Sequence, residues 1–266
     1  ADVKKVIKSL SHKKINNISK NWIEKCQHWK KIFPRLEEYN KSDKLIDLYQ
    51  LAESLSNTMP ENSLLVTDSG MIELVLPTNI KFKKNQRCIH PASQGSMGFA
   101  LPGIIGGYFA SKKIPISVIG DGSVMMNLQE LATISYNNIP AKIFIVNNNA
   151  YAVIRKRMIE LFRRTIGTDS ENGVGCPDFI KVAECFNFKY FKISSNKNLD
   201  KKIKSVIEMD GPVICEIMGL ENQNYLSSGH ARNSNGAIVN RPLEDQRPYL
   251  DRKLFLSEMI VKPIDQ

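Results

Sequence analysis

Short apolar runs alternate along this chain with stretches in which apolar residues recur every three or four positions. The alternation holds from about residue 42 to about residue 219. Leu64-Leu65-Val66, Ile114 to Ile119, Ile143-Phe144-Ile145-Val146, Lys189 to Ile193 and Pro212 to Ile217 read as buried strands. Leu45, Leu48, Leu51, Ala52 and Leu55 mark a helix closed by Pro60, and Pro102 to Ala110 is a helix of small residues. Leu128 to Ile134, Phe179 to Phe186 and Leu199 to Met209 carry helical spacing as well. Strands and helices in turn predict an α/β fold: a doubly wound, mostly parallel sheet with helices on both faces. No internal repeat or low-complexity tract interrupts it.

The two ends read differently. Trp22, Cys26 and Trp29 recur at helical spacing amid Lys and Glu, with Pro34 as a stop. Residues 1–41 are therefore expected to be the tail of a preceding domain and a linker helix, and 42–220 the main α/β domain. From Glu221 the periodicity is lost. Gly229 to Gly236 is expected to be a polar loop and Asp251 to Ile260 a helical tail, so 221–266 reads as a lid or tail segment.

Composition narrows the function classes. The 266 residues are 42% hydrophobic and 24% charged, ordinary values for a globular protein. A net charge of +10 invites a nucleic-acid reading, but the lysines are spread along surface-like helices without an aromatic-interleaved basic module. No nucleic-acid partner is expected. Neither a membrane-length apolar run nor a signal-peptide core is present, so no membrane association is expected. Cys26, Cys88, Cys176, Cys185 and Cys215 are odd in number and scattered, which points to neither disulfides nor zinc and suggests a cytoplasmic location.

The chemistry concentrates at two strand ends. Gly120-Asp121-Gly122-Ser123 follows one apolar run, and Asn147-Asn148 follows the next. With a helix between them this is a βαβ unit whose strand ends open on one sheet edge, where ligands of open α/β sheets bind. Asp121 offers a carboxylate oxygen and Asn148 an amide oxygen. With a nearby carbonyl they suit Mg²⁺ while leaving positions for phosphate and water. Glycines at 120 and 122 admit a bulky anion, and the Gly122 and Ser123 amides can donate to phosphate. Taken singly, Asp121 is also a good helix cap and Asn148 a good turn residue.

The interval from Asp121 to Asn148, 27 positions, makes this pair resemble the thiamine-diphosphate motif, in which GDG is followed at about this distance by NN. Gly95-Ser96-Met97-Gly98-Phe99-Ala100-Leu101-Pro102, the run Gly120 to Thr133, Ile139-Pro140 and Asn147-Asn148-Asn149 are similar to the acetohydroxyacid (acetolactate) synthase family. The resemblance implies thiamine diphosphate and Mg²⁺ as cofactors, with Asp121, Asn148 and the Ala150 carbonyl on the metal. Gly120, Gly122 and Ser123, with Ser69 and Gly70 from the preceding strand end, would flank the diphosphate. Met97, in its setting of Gly95 and Ser96, would hold the cofactor bent, and Tyr151, Ala152 and Val153 would complete the contacts.

The implied activity is decarboxylation of a 2-oxo acid with carboligation to a carbonyl acceptor. A plain decarboxylase and a non-catalytic assembly domain are the alternatives. The family's activating glutamate sits on a pyrimidine-binding domain, in cis or on a neighbouring subunit, that this chain does not accommodate. A C-terminal part of a longer homodimeric or homotetrameric enzyme is therefore implied, inactive when isolated, with FAD possible only in the full-length protein. His90, and less so His230, are the remaining candidates for proton transfer. Two departures stand out. Met71-Ile72-Glu73 occupies the place where the synthases carry Gln and His, and Arg157 the place of a channel-lining Trp. A guanidinium at 157, supported by Arg163 and Arg164, would suit a more anionic substrate.

Overall fold

The computed structural model describes residues 2–13, 19–33, 44–227, 229–232 and 234–261. Two compact units emerge, Ala1–Glu37 and Glu38–Gln266. The first holds α1 (Val3–Ser11) and α2 (Lys20–Ile32), neither with a buried residue. Asp2 caps α1 by accepting from the Lys4 amide at 2.8 Å. On α2 the rings of Trp22 and Trp29, two turns apart on one face, meet edge to face at 5.8 Å. Pro34 and the expected boundary at residues 41 and 42 lie outside the described residues.

In the second unit α3 (Leu48–Thr58) leads into β1 (Ser63–Thr67), α4 (Met71–Asn79), β2 (Arg87–Ile89), α5 (Ala100–Ser111) and β3 (Ile114–Gly120). Then come α6 (Asp121–Val124), α7 (Glu130–Tyr136), β4 (Lys142–Asn147), α8 (Ala152–Phe162) and α9 (Phe179–Cys185). The alternation ends with β5 (Lys189–Ile193), α10 (Leu199–Ile207) and β6 (Val213–Met218), followed by β7 (His230–Arg232), β8 (Ile238–Asn240) and α11 (Arg252–Glu258).

The main sheet has the order β2-β1-β3-β4-β6-β5, and every neighbouring pair is parallel. Every residue of β1 and β4 is buried. Side chains of a strand alternate between faces, so both faces of the sheet are covered and the fold is doubly wound α/β as expected. The helices show why. In α10 the buried Leu199, Ile203, Val206 and Ile207 form one stripe. On α5 the small residues allow close docking, since a methyl added at Gly107 would lie 2.3 Å from Leu64 Cδ2.

The sheet grows from β1 to β2 on one side and from β1 to β3 on the other. Between β1 and β3 the order therefore reverses, and the carboxyl ends of neighbouring strands diverge into a crevice there.

Three features go beyond the pattern-based expectation or differ from it. Met71 begins a helix directly, with Met71, Ile72, Val75 and Leu76 buried, where the pattern had given no element. The basic run from Arg155 lies inside α8. The polar stretch after Gly229 carries the strands of an antiparallel hairpin, β7 with β8, although Asn233 within it lies outside the described residues. Strands of three residues are too short to declare an alternation.

Candidate functional site

At the reversal point the ends of β1, β3 and β4 and the start of α8 enclose a cleft of about 550 Å³, counting its open mouth. From β1 come Ser69 and Gly70, followed by Met71 and Ile72 of α4. Gly120, Asp121, Gly122 and Ser123 come from β3 and α6, and Asn148 and Ala150 from the turn after β4. Tyr151, Ala152 and Val153 close one wall, and Met97 reaches in from the loop before α5 at 37% exposure.

Asp121 is the electrostatic centre of this cleft. It is 3% exposed, and its carboxylate accepts from the amides of Gly122 at 2.7 Å, Asn148 at 3.0 Å and Asn149 at 2.7 Å. The turns after β3 and β4 are thereby locked together. Burial pushes the Asp121 carboxyl above its ordinary range, and the amides of Gly122, Asn149 and Asn148 pull it only part of the way back. Among the described residues no Lys or Arg pairs with Asp121, and none lines the cleft. A buried carboxylate supported only by neutral donors favours a cation beside it.

Asn148 is 8% exposed, and its side-chain oxygen accepts from the Ala150 amide at 3.2 Å, which shapes the turn. The set of one carboxylate, one amide oxygen and a nearby carbonyl is hard and oxygen-rich, suited to Mg²⁺ rather than zinc. Among the described residues no group of three or more His, Cys, Asp or Glu that could hold a metal ion gathers. The residues present thus fit a divalent cation with a diphosphate. The Gly122 amide is already given to Asp121, which leaves the buried Ser123 for an anion. Gly122 also has a steric reason to be glycine: an added methyl would lie 1.9 Å from Tyr151 Cε1.

Hydrogen bonds at the strand ends and from more distant residues hold this arrangement. Asp68 is fully buried, and it accepts from the amides of Ser69 at 2.9 Å, Gly98 at 3.1 Å and Ala100 at 2.8 Å. One carboxylate thus fixes the end of β1 to the loop that carries Met97. Asn147 donates to Glu216 at 2.6 Å, and Glu216 also accepts from Tyr190 and, at 3.2 Å, pairs with Lys192. Cys176 hydrogen-bonds to Asp121; burial first, then the charge and hydrogen bond of Asp121, push its thiol up to about 12. Asp68 and Asn147 belong to strand ends legible in the sequence, whereas Glu216 and Cys176 carried no such signal.

Other candidates fall elsewhere. Gly95 and Ser96 do not line the cleft; a methyl added at Gly95 would lie 3.2 Å from Glu73 Oε2, so Glu73 reaches that loop instead. His90 follows β2 away from the cleft, and its buried Nδ1 has no protein partner among the described residues. His230 borders a separate space near the hairpin. Arg157 does not line the cleft and lies 3.8 Å from Glu160. Arg155 is the buried arginine of the run: it donates to the Glu221 side chain, to the Glu221 carbonyl at 2.9 Å and to Asn222 at 3.0 Å.

Residues 68–217 match the family model described as "Thiamine pyrophosphate enzyme, C-terminal TPP binding domain". The chain is 30% identical over 245 residues to the acetolactate synthase large subunit of Porphyra purpurea, covering 90% of this chain and 41% of the relative. To the probable acetolactate synthase large subunit of Methanococcus aeolicus it is 30% identical over 229 residues, 80% of this chain and 37% of the relative. A solved structure, the thiamine diphosphate-dependent 4-hydroxybenzoylformate decarboxylase of Rhodococcus jostii RHA1, superposes with a TM-score of 0.62 at 25% identity. That match covers 71% of this chain and 35% of the other. The chain thus spans about two fifths of the length of the curated relatives it matches.

Proposed function

The chain belongs to the thiamine pyrophosphate enzyme family through its C-terminal TPP binding domain, and from that premise we propose that it serves decarboxylation of a 2-oxo acid followed by carboligation to a carbonyl acceptor. In this reading it is the pyrophosphate- and Mg²⁺-binding part of an acetolactate synthase-like enzyme. The observation that carries it is Asp121: buried, held by three amides, without a basic partner among the described residues, and tied to the Asn148 turn at 3.0 Å.

Asp121, the Asn148 side chain and the Ala150 carbonyl would hold Mg²⁺, with Ser123, Ser69 and Gly70 beside the diphosphate. When bound, thiamine diphosphate supplies the electron sink that decarboxylation requires. The chain's own residues bind and orient. The apolar wall of Met97, Ile72, Leu48 and Val153 keeps water from the reacting carbons. Among the described residues no glutamate or histidine lines the cleft, and in this reading the activating glutamate comes from a pyrimidine-binding domain in cis or on a neighbouring subunit. The homo-oligomer, the cytoplasmic location and any FAD belong to that larger assembly and stand as proposals with it.

Calorimetry tests the cofactor site. Thiamine diphosphate is expected to bind this chain in a Mg²⁺-dependent manner, and Asp121→Asn to weaken that binding more than about a hundredfold. Equal affinity in the variant ends the assignment. The likeness to a decarboxylase favours one further reading, protonation in place of carboligation. With pyruvate and the full-length enzyme, acetolactate as product supports the first reading and acetaldehyde the second.

A further inference from the structure

Arg155, Lys156 and Arg157 leave α8 in three directions. Arg155 is consumed by the fold, bound to Glu221 and Asn222. Arg157 borders neither the cleft nor the space next to it. Lys156 lines a second chamber of about 700 Å³, counting its open mouth, between α8 and the segment 221–225. Its ammonium stands 4.2 Å from the centroid of the Tyr225 ring and forms no ion pair among the described residues.

The chamber adjoins the cleft, because Met71 and Ala152 line both. Lys156 sits one turn beyond Ala152 on the same helix face, about 6 Å along the axis. Two acids also border the chamber, and both are neutralised: Glu160 by Arg247 at 3.2 Å and Glu221 by Arg155. What remains is one half-buried cation, beside a ring that favours positive charge, facing a space that adjoins the cofactor cleft.

We propose that this chamber is the subsite for the negatively charged end of the carbonyl acceptor, with Lys156 as its anchor. The acceptor carries a carboxylate or phosphate that meets Lys156 while its carbonyl faces the cofactor cleft. This rests on the cofactor reading of the adjoining cleft. It also moves the anionic specificity expected at Arg157 to the neighbouring residue, which the helix turns inward. Ile159 and Glu160 also border the separate space lined by Arg163 and His230.

The test uses the full chain saturated with thiamine diphosphate and Mg²⁺, so that the diphosphate position is filled. Inorganic phosphate and succinate are then titrated separately by calorimetry. At least one is expected to bind saturably, which also tells a phosphate-bearing from a carboxylate-bearing acceptor. Lys156→Met should weaken it about tenfold or more, Lys156→Arg should stay within about threefold, and Arg157→Met should change nothing. Rescue by Lys156→Arg separates lost charge from lost fold. The proposal is overturned if neither anion saturates, or if Lys156→Met binds as tightly as the parent. If thiamine diphosphate does not bind, the cofactor reading fails on its own, and the same variants on the cofactor-free chain still decide the role of Lys156.

Discussion

Asp121 and Gly122 show how tightly single side chains constrain this site. Gly122 lies under the Tyr151 ring with no room for a methyl, 1.9 Å from Cε1. Gly122→Ala is expected to cost about 1–3 kcal/mol from overpacking, because helical geometry itself tolerates alanine. In the Tyr151→Ala background that penalty should fall below about 0.5 kcal/mol, a double-mutant cycle read by urea denaturation. Glu216 makes the pH prediction. Burial pushes its carboxyl up, but hydrogen bonds from Tyr190, Asn147 and Lys192, with the Lys192 charge, outweigh that and hold it below its ordinary 4.5. A depressed folded value means stabilisation that is present above about pH 4.5 and is lost as the pH falls through the folded value. Glu216→Gln should therefore flatten the acid limb of the stability curve while lowering the plateau near neutral pH. An unchanged acid limb would show that Glu216 is not a linked group.

Loops and helices here are pinned by buried carboxylates rather than by length or propensity. Asp68 fastens the loop before α5 to the end of β1 through the Gly98 and Ala100 amides. In Asp68→Asn one oxygen becomes a donor facing donors, so about 1–3 kcal/mol should be lost and hydrogen exchange at Gly98 and Ala100 should accelerate. Weaker thiamine diphosphate binding in the same variant would show that this loop positions Met97. Asp245 does the same for the C-terminal segment, with Arg241 at 2.6 Å and Arg252 at 2.7 Å. Asp245→Asn should speed exchange in β7 and β8 and leave β3 and β4 unaffected. Uniform acceleration across the sheet would refute a separately pinned segment. The helical phase of α8 was beyond the reach of sequence. Three consecutive basic residues look alike until the packing of 221–225 fixes their surroundings: Arg155 is buried and Lys156 faces the chamber.

At the scale of the molecule, ligand binding should report on the whole cooperative unit. At a hundred times its dissociation constant, thiamine diphosphate with Mg²⁺ should stabilise the chain by about 2.7 kcal/mol, read as a raised thermal midpoint. No shift would mean that the cleft does not take the cofactor. Much of this molecule was legible beforehand. Apolar runs and helical stripes are local consequences of burial, so the parallel α/β sheet followed from periodicity, and the pair Asp121 and Asn148 followed from an interval that one helix and one strand must fill. The short hairpin, the helix that opens at Met71, the tie from Asp68 to the Gly98 loop, and the gathering of Cys176 and Glu216 around the site were not legible. These depend on contacts between residues far apart in sequence, and no window along the chain contains both partners. Sequence by itself determined which chemical groups leave the strand ends. Only the tertiary structure decided which of them are buried, which charges are already paired, and that Lys156 is the cation left facing the chamber, because burial and charge neutralisation belong to the packed molecule and not to the chain.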